Sequence, residues 1–353
     1  MAACEVNKNS PLYNGSNPIA KEKVQGAVND YEAYHASFGG DVEKRKTYYA
    51  DLTNKYYDLC TQFYEYGWGE SFHFAPRNGE ETHRESLKRH EHYLALRLGI
   101  SSSSRVADLG CGVGGPAREI STFSGAHVTG VNNNAYQVKR AGEITAGKAW
   151  RNAAGDTVPR CNFVKADFMN LPMEEGSFDA AYAIEATCHA PDLTAVYKEI
   201  YRVLKPGGVF AAYEWLMTDK YDPENETHRR IKQEIELGNG IADLRTIEVA
   251  ERALVDAGFE VVETVDVCAT GSSKLSWYDP LAPKAISLSS FRTSTLGRFI
   301  TRNMVFLLET LGLAPKGTIE VSNFLERGAD NLVEGGELGI FTPAYLVVGR
   351  KKC

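Results

Sequence analysis

The sequence predicts an α/β protein with a doubly wound, mostly parallel sheet of seven strands. Short apolar segments alternate with amphipathic helices of about 10–15 residues, a pattern typical of parallel sheets that carry helices on both faces. Glycine and proline mark the ends of several of these helices. The predicted strands cover residues 105–109, 126–131, 161–165, 178–184, 208–215, 259–267 and 344–350.

The order of these segments divides the chain into five parts. The first 30 residues are polar and rich in Asn, Gly and Pro, which predicts a flexible tail. About 75 residues separate the sixth and seventh strands, far more than the usual connection of about 2–6, and this predicts a folded cap before the last strand. The predicted parts are a tail at 1–40, a helical and aromatic segment at 41–104, a sheet domain at 105–268, the cap at 269–342 and the last strand with the C-terminus at 343–353.

Composition and charge argue against several classes of protein. The 353 residues are 43% hydrophobic and 24% charged, an ordinary globular composition. Lys and Arg number 39 against 46 Asp and Glu, and the net charge of −7 argues weakly against a nucleic-acid partner. No apolar run reaches the roughly 18–20 residues of a membrane-spanning helix. The first residues also lack the apolar stretch of a secretory signal, so we expect none.

The cysteines and histidines show no metal-binding spacing. The seven cysteines are scattered and include no C-x-x-C pair, so we expect free thiols in a reducing compartment. His90 and His92 are two residues apart, which places them on different sides of a helix. We therefore expect no bound metal.

A glycine-rich turn follows the first predicted strand and indicates a cofactor site. Gly110, Gly112 and Gly115 satisfy G-x-G-x-x-G, which first suggests a dinucleotide. Asp108 would repel a pyrophosphate, and residues 132–134 are all Asn where dinucleotide folds usually carry an acid for the ribose. A cationic ligand without phosphate suits this turn better, and a dehydrogenase becomes a distant alternative.

The D-x-G-x-G motif at 108–112, Asp167-Phe168 and L-K-P-G-G at 204–208 resemble class I S-adenosylmethionine-dependent methyltransferases. The resemblance implies a Rossmann-like fold in which Asp108 holds the amino-acid end of the cofactor and Asp167 accepts from the adenine amine. Neutral amides near the second strand are expected to contact the ribose. The expected cofactor-binding residues are Asp108, Gly110, Cys111, Gly112, Asn132, Asn133, Gln137, Asp167 and Phe168.

Longer segments closely resemble sterol 24-C-methyltransferases. They are YEYGWGESFHF (64–74), RHEHYLA (89–95), DLGCGVGGPAREI (108–120), NNNAYQ (132–137), YAIEATCHAP (182–191) and YEWLMTDKYD (213–222). The resemblance implies methyl transfer from S-adenosylmethionine to C24 of a Δ24 sterol of the cycloartenol or zymosterol type. It further implies a carbocation, a hydride shift from C24 to C25 and loss of a proton, which leaves a 24-methylene group.

This chemistry assigns roles to several side chains. The aromatic segment 64–74 suits stabilisation of a cation, with Tyr66 expected to act most directly. The residues expected to bind substrate are Tyr64, Trp68, Phe72, Tyr182 and Trp215. The proton acceptor stays open among Glu185, His189, His90 and Glu91, and Glu185 is equally suited to binding the cationic cofactor.

The predicted cap contains an apolar stripe at helical spacing. The stripe comprises Leu296, Ile300, Met304, Leu307, Leu308 and Leu311. Packing of this helix onto the domain is the favoured interpretation, and contact with the sterol or with a membrane is the second. We expect a peripheral protein of the cytoplasmic face of the endoplasmic reticulum, where a sterol substrate dissolves, and a homo-oligomer is possible.

The sequence is also compatible with two other functions. A related enzyme would methylate another unsaturated or prenylated lipid with the same cofactor turn. A sterol carrier or sensor would retain the fold around a vestigial cofactor site, but the intact glycine turn with Asp108 argues against this.

Overall fold

The sheet has the doubly wound order that the sequence predicts. The computed structural model describes residues 19–38, 41–79, 81–147, 160–270, 275–282, 291 and 293–353. Within these residues, the strand order is β3-β2-β1-β4-β5-β8-β7, with β6 beside β5, and β8 alone runs antiparallel to its neighbours. The strands are β1 Arg105–Leu109, β2 His127–Asn132, β3 Cys161–Lys165, β4 Phe178–Ile184, β5 Leu204–Met217, β6 Arg245–Thr246, β7 Glu260–Asp266 and β8 Phe341–Arg350. The predicted fold class is confirmed, and the two-residue β6 is an addition to the seven predicted strands.

Helices cover both faces of this sheet. Alternate residues of β1 point in opposite directions, so Ala107 and Leu109 join one apolar cluster while Val106 joins the other. The helices are α1 Val24–Phe38, α2 Val42–Thr47, α3 Tyr49–Gly67, α4 His83–Leu98, α5 Gly115–Ser124, α6 Ala135–Ala146, α7 Leu193–Val203, α8 Glu226–Asn239, α9 Ile247–Asp256, α10 Val267–Thr270, α11 Thr295–Thr310 and α12 Thr318–Leu338. α7 and α9 pack on the first cluster, and α4 and α5 pack on the second.

The predicted flexible tail is wrong for residues 24–38, which form α1. Val28 and Tyr31 are fully buried there, and the Tyr31 ring lies 5.2 Å from the ring of Phe324 in α12. The sequence does contain apolar residues at helical spacing here, namely Val24, Val28 and Tyr31. The polar composition of the whole segment outweighed this pattern in the prediction. The rest of the predicted tail, residues 1–18 and 39–40, lies outside the described residues.

α11 and α12 occupy the part of the chain between β7 and β8. The predicted packing of the apolar stripe is wrong, because its members Leu296, Leu307 and Leu311 are 48%, 55% and 61% exposed. The exposed stripe residues are Leu296, Ile300, Met304, Leu307 and Leu311, while Leu308 is half-buried. No helix among the described residues is both long and apolar enough to cross a membrane.

α12 packs closely against α8 through two glycines. A Cβ atom on Gly238 would lie 2.4 Å from the Cα of Gly328, so a side chain there forces the helices apart. We expect Gly238→Ala to lower the free energy of unfolding by about 1–3 kcal/mol, measured by urea denaturation.

Gly142 provides the matched control for this prediction. It lies in α6, where an added Cβ meets nothing within 4 Å. Gly142→Ala is therefore expected to raise the free energy of unfolding by about 0.5–1 kcal/mol. Equal effects of the two substitutions would contradict the close packing of α8 on α12.

Candidate active site

Two cavities meet at the carboxyl edge of the sheet, where doubly wound folds bind their ligands. The smaller cavity lies at the ends of β1 and β2 and the larger lies beneath α11 and α12. The side chains that line both are Tyr57, Phe72, His73, Glu185 and His189. A group bound in one cavity therefore faces a group bound in the other across these five residues.

The smaller cavity is lined by every residue that the sequence assigned to the cofactor. These are Asp108, Gly110, Cys111, Gly112, Asn132, Asn133, Gln137, Asp167 and Phe168. The turn requires glycine at its start, because Gly110 has a φ of 79° and a Cβ there would lie 2.3 Å from the Cβ of Ala186. The turn thereby brings its backbone close to any occupant of the cavity.

Asp108 is a buried acid in the smaller cavity. Its Oδ2 atom has no hydrogen-bond partner among the described residues. Burial raises the pKa of Asp108 to about 7, against the opposing effect of the nearby Tyr182 hydroxyl. A buried acceptor without a partner suits a cationic ligand group, such as the ammonium of an amino acid.

The asparagine triplet contributes amides to the same cavity. Asn132 Nδ2 donates to Gln137 Oε1 over 2.6 Å, and Gln137 Nε2 donates to Thr61 Oγ1 over 3.0 Å. Asn134 instead caps α6, where its Oδ1 accepts from the Gln137 backbone N–H. Asn132 and Gln137 therefore form a fixed pair of neutral polar groups.

α3 covers the smaller cavity and supplies residues that the sequence analysis missed. Tyr49, Thr53 and Tyr57 line the cavity from this helix, and the Tyr49 hydroxyl donates to the Asp167 carboxylate. Asp167 also accepts from the Met169 backbone N–H over 2.9 Å. The three residues recur at four-residue spacing along one helix face, and this is the signal that identifies them.

The larger cavity and the solvent-open space at its mouth together measure about 1150 Å³. Its lining is mostly aromatic and aliphatic, as expected for an apolar ligand. Five of the aromatic residues singled out from the sequence line it, namely Tyr64, Tyr66, Trp68, Phe72 and Trp215. Tyr182 does not line it and is instead fully buried beside Asp108, its partner in the register of β1 and β4.

The aromatic side chains differ in how close they lie to the smaller cavity. Tyr64 and Tyr66 belong to α3 and, like Trp68, line the larger cavity alone. Tyr57 and Phe72 line both cavities. The aromatic rings between the two sites are thus those of Tyr57 and Phe72 rather than that of Tyr66.

Glu185 follows β4 and lies between the two cavities. Its φ of 53° is left-handed, a strained conformation for a non-glycine residue that is found at functional sites. Its Oε1 accepts from the Phe74 backbone N–H and its Oε2 from the Trp215 indole N–H, each over 2.7 Å. Burial raises the pKa of Glu185 to about 8, while nearby His73 and these donors oppose the rise.

His73 also lies between the cavities and was not identified from the sequence. Its Nδ1 lies 2.8 Å from the Phe74 carbonyl oxygen and its Nε2 lies 3.0 Å from Glu91 Oε1. Burial alone would lower the pKa of His73, but the hydrogen bond and charge of Glu91 outweigh it and raise the pKa. Both ring nitrogens face acceptor oxygens, an arrangement that favours a proton on each.

His90 and Glu91 are buried in α4 and line neither cavity. The His90 ring stacks on Tyr213 at 3.6 Å, and burial lowers its pKa well below the usual value. Glu91 accepts from Ser71 and His73. Glu91 is therefore placed to position His73, and neither residue is placed to touch a ligand.

His189 lies between the cavities with one nitrogen paired to the backbone. Its Nδ1 lies 3.2 Å from the Gly240 carbonyl oxygen, and its Nε2 lies 3.0 Å from the Tyr57 hydroxyl. Burial lowers the pKa of His189 to about 4, so the ring is neutral with its proton on Nδ1. Nε2 consequently accepts a hydrogen bond from Tyr57.

No group of three or more metal-ligating side chains occurs within the described ranges of the chain.

Comparison with known proteins identifies the family. A model described as "Methyltransferase domain" matches residues 107–212, and one described as "Sterol methyltransferase C-terminal" matches residues 288–352. The chain is 56% identical to cycloartenol-C-24-methyltransferase 1 of Oryza sativa subsp. japonica over 333 residues, covering 94% of each chain. It is 47% identical to sterol 24-C-methyltransferase ERG6 of Saccharomyces cerevisiae over 350 residues, covering 97% of this chain and 88% of the relative. The chain belongs to the sterol C-24-methyltransferase family.

The fold of this enzyme also resembles that of solved structures. The crystal structure of mycolic acid cyclopropane synthase CmaA1, complexed with SAH and CTAB, aligns with a TM-score of 0.68. The alignment covers 86% of the enzyme and 98% of the synthase at 13% sequence identity, so it supports the fold alone. The family, fold class and enzymatic nature expected from the sequence are confirmed.

Proposed function

We propose that the enzyme transfers the methyl group of S-adenosylmethionine to C24 of a Δ24 sterol of the cycloartenol or zymosterol type. The product is a 24-methylene sterol, formed through a carbocation, a hydride shift and loss of a proton. The observation that carries the proposal is the junction of the two cavities. The smaller cavity contains Asp108, which has one buried carboxylate oxygen without a partner among the described residues, and it meets the larger, mostly aromatic and aliphatic cavity at the five residues that line both.

The residues of the smaller cavity fit the cofactor. Asp108 Oδ2 would accept from the amino-acid ammonium, and Asn132 with Gln137 would face the ribose. Asp167 and Phe168 would hold the adenine. When bound, S-adenosylmethionine supplies an electrophilic methyl group.

The enzyme's own task is to orient the alkene, stabilise positive charge and exclude water. The two N–H donors on Glu185 fix a carboxylate whose charge opposes that of a cation in the larger cavity. The rings of Tyr57 and Phe72 add cation–π attraction of about 0.5–2 kcal/mol each. These groups stabilise the cation without forming a bond to it.

The test is methyl transfer with matched sterols. Purified enzyme with radiolabelled methyl on the donor is expected to label cycloartenol. The 24,25-saturated sterol with the same rings is expected to stay unlabelled, because it lacks the nucleophilic double bond. Equal labelling of both sterols would contradict the proposal.

The exposed face of α11 is the site at which we expect the enzyme to contact the bilayer that holds its substrate. This face carries large apolar side chains, and Arg302 and Lys316 are exposed beside it. The local positive charge suits anionic headgroups although the whole chain is negative. Arg298 and Thr301 of the same helix line the larger cavity, so the bilayer face adjoins the sterol site. Location on the cytoplasmic face of the endoplasmic reticulum and assembly into a homo-oligomer stay predictions.

Removing two exposed rings from α11 tests this contact. Each Phe that enters the apolar layer contributes about 1.5–3 kcal/mol, so Phe299→Ser with Phe306→Ser is expected to lower the partition constant about 100-fold or more. The measurement is flotation with vesicles of phosphatidylcholine, phosphatidylserine and sterol. Val249→Ser with Val255→Ser is the control, because these exposed side chains lie on α9. Equal flotation of the two double variants would contradict the assignment.

A further inference from the structure

Methylation of the alkene leaves a cation that must lose a proton, and the structure narrows the choice of acceptor. His90 and Glu91 line neither cavity. The titratable groups that line both cavities are Tyr57, His73, Glu185 and His189. The added methyl group is transferred where the two cavities meet, so these four groups are the candidates that lie closest to it.

Two of the four are poorly suited to accept a proton. Both nitrogens of His73 face groups that only accept, the Phe74 carbonyl and Glu91, so the ring has no lone pair to offer. Both oxygens of Glu185 already accept N–H donors, which oppose the rise in its pKa and leave each oxygen with fewer free lone pairs for a proton. Glu185 thus suits the role of electrostatic partner.

The remaining two form a chain from the cavities to the backbone. The Tyr57 hydroxyl lies 3.0 Å from His189 Nε2, and His189 Nδ1 lies 3.2 Å from the Gly240 carbonyl oxygen. The carbonyl requires a proton on Nδ1, which leaves the lone pair of Nε2 facing the Tyr57 O–H. The phenol oxygen has lone pairs of its own, and Tyr57 is one of the residues that line both cavities.

We propose that the Tyr57 oxygen accepts the proton from the newly added methyl group while the Tyr57 hydroxyl passes its own proton to His189 Nε2. This assignment rests on the proposed sterol methylation. The electrons of the broken C–H bond form the double bond between C24 and the carbon of the added methyl group, and the positive charge of the sterol cation passes to the imidazolium. Gly240 accepts a hydrogen bond from that imidazolium, which returns its proton to water after the product leaves.

A neutral imidazole is basic enough for this step. A C–H bond beside a carbocation is a very strong acid, so the reaction needs an acceptor in the right place rather than a strong base. A weakly basic acceptor also returns the proton readily. The position of the acceptor then decides which of the neighbouring C–H bonds breaks.

The test is the ratio of products in single turnovers with methyl-labelled donor and cycloartenol. Gas chromatography separates the isomers, which have equal mass, before mass spectrometry identifies them. Tyr57→Phe and His189→Gln are each expected to lower the ratio of the 24-methylene sterol to its isomers and alcohols about 100-fold. The isomers arise by proton loss from other carbons, and the alcohols arise by capture of water. A merely structural role would change the amount of product and leave this ratio alone.

Tyr56→Phe is the matched control. Tyr56 neighbours Tyr57 in α3, is buried, donates to the Gly238 carbonyl over 2.9 Å and lines neither cavity. It is expected to keep the wild-type ratio. Circular dichroism and thermal unfolding verify that each variant is folded, and either Tyr57→Phe or His189→Gln suffices if the other does not fold.

The outcomes separate this inference from the proposed function. Wild-type enzyme that makes the 24-methylene sterol, with variants that retain its product ratio, would overturn the Tyr57–His189 relay alone. Wild-type enzyme that methylates no Δ24 sterol would overturn the proposed function and the relay with it. A shifted ratio in Tyr57→Phe and His189→Gln, with Tyr56→Phe unchanged, supports both.

Discussion

Glu185→Gln is expected to lower kcat about 100- to 1000-fold with saturating donor and sterol, as measured by methyl transfer. The substitution keeps the size of the side chain and removes an acid that lines both cavities. Burial raises the pKa of Glu185 to about 8, and a cationic ligand beside it favours the ionised form that the substitution removes. Removing one preorganised group that stabilises transition-state charge typically has an effect of this size. In the variant, the new amide NH2 also faces an N–H donor, from either Phe74 or Trp215.

Glu214→Gln is the control for this prediction. Glu214 is a fully buried acid of β5 that accepts from Tyr197 over 2.8 Å and lines neither cavity. We expect it to lower stability while the turnover of folded enzyme stays close to wild type. An equal loss of turnover in both variants would mean that replacing any buried acid lowers kcat. The position of Glu185 between the cavities would then not explain its effect, and its assigned role would be wrong.

Asp108→Asn is expected to raise the Kd for S-adenosylmethionine about 10- to 100-fold, because a hydrogen bond to a charged group contributes about 1.5–3 kcal/mol. Isothermal calorimetry measures this directly. S-adenosylhomocysteine has the same amino-acid end without the sulfonium, so its affinity should fall by the same factor. An unchanged Kd would remove Asp108 from the site.

The same residue predicts a pH dependence of cofactor binding. The pKa of Asp108 is raised to about 7 by burial, and a cationic ligand favours the ionised acid. The affinity of the wild-type enzyme for S-adenosylmethionine should therefore increase as the pH rises through about 7 and decrease as the pH drops below about 7. The Asp108→Asn variant has no acid to ionise at this position, so its affinity should lose the change centred near pH 7. It should keep only the change near pH 8 that Glu185 contributes in the same cavity.

The sheet and the smaller cavity were predictable because their signals are local. β1 coincides with the predicted apolar segment 105–109. The turn after it has positive φ angles that glycine adopts without strain, so its glycines mark the turn in the sequence. Parallel strands bring their carboxyl ends to one edge, so Asp108, Asn132 and Asp167 converge although they are distant along the chain.

The contacts between the residues that line both cavities could not be predicted from the sequence, because they depend on tertiary packing. Tyr57 and His189 are 132 residues apart, and no periodicity links them. His90 looked like a site residue within a recognisable motif, yet its ring stacks on Tyr213 beneath the site. For the α11 stripe, helical spacing correctly indicated an apolar face of the helix. The spacing did not indicate whether that face is covered, and the structure leaves most of it exposed.

Mass spectrometry of the sterols formed by purified enzyme tests the central claim most directly. The reaction contains S-adenosylmethionine with cycloartenol or zymosterol, and the account predicts a product that has gained one CH2 unit and carries a 24-methylene group. The ratio of the two products ranks the acceptors. Enzyme that binds S-adenosylmethionine yet adds no mass to either sterol would contradict the account, and the acceptor would then be another unsaturated or prenylated lipid.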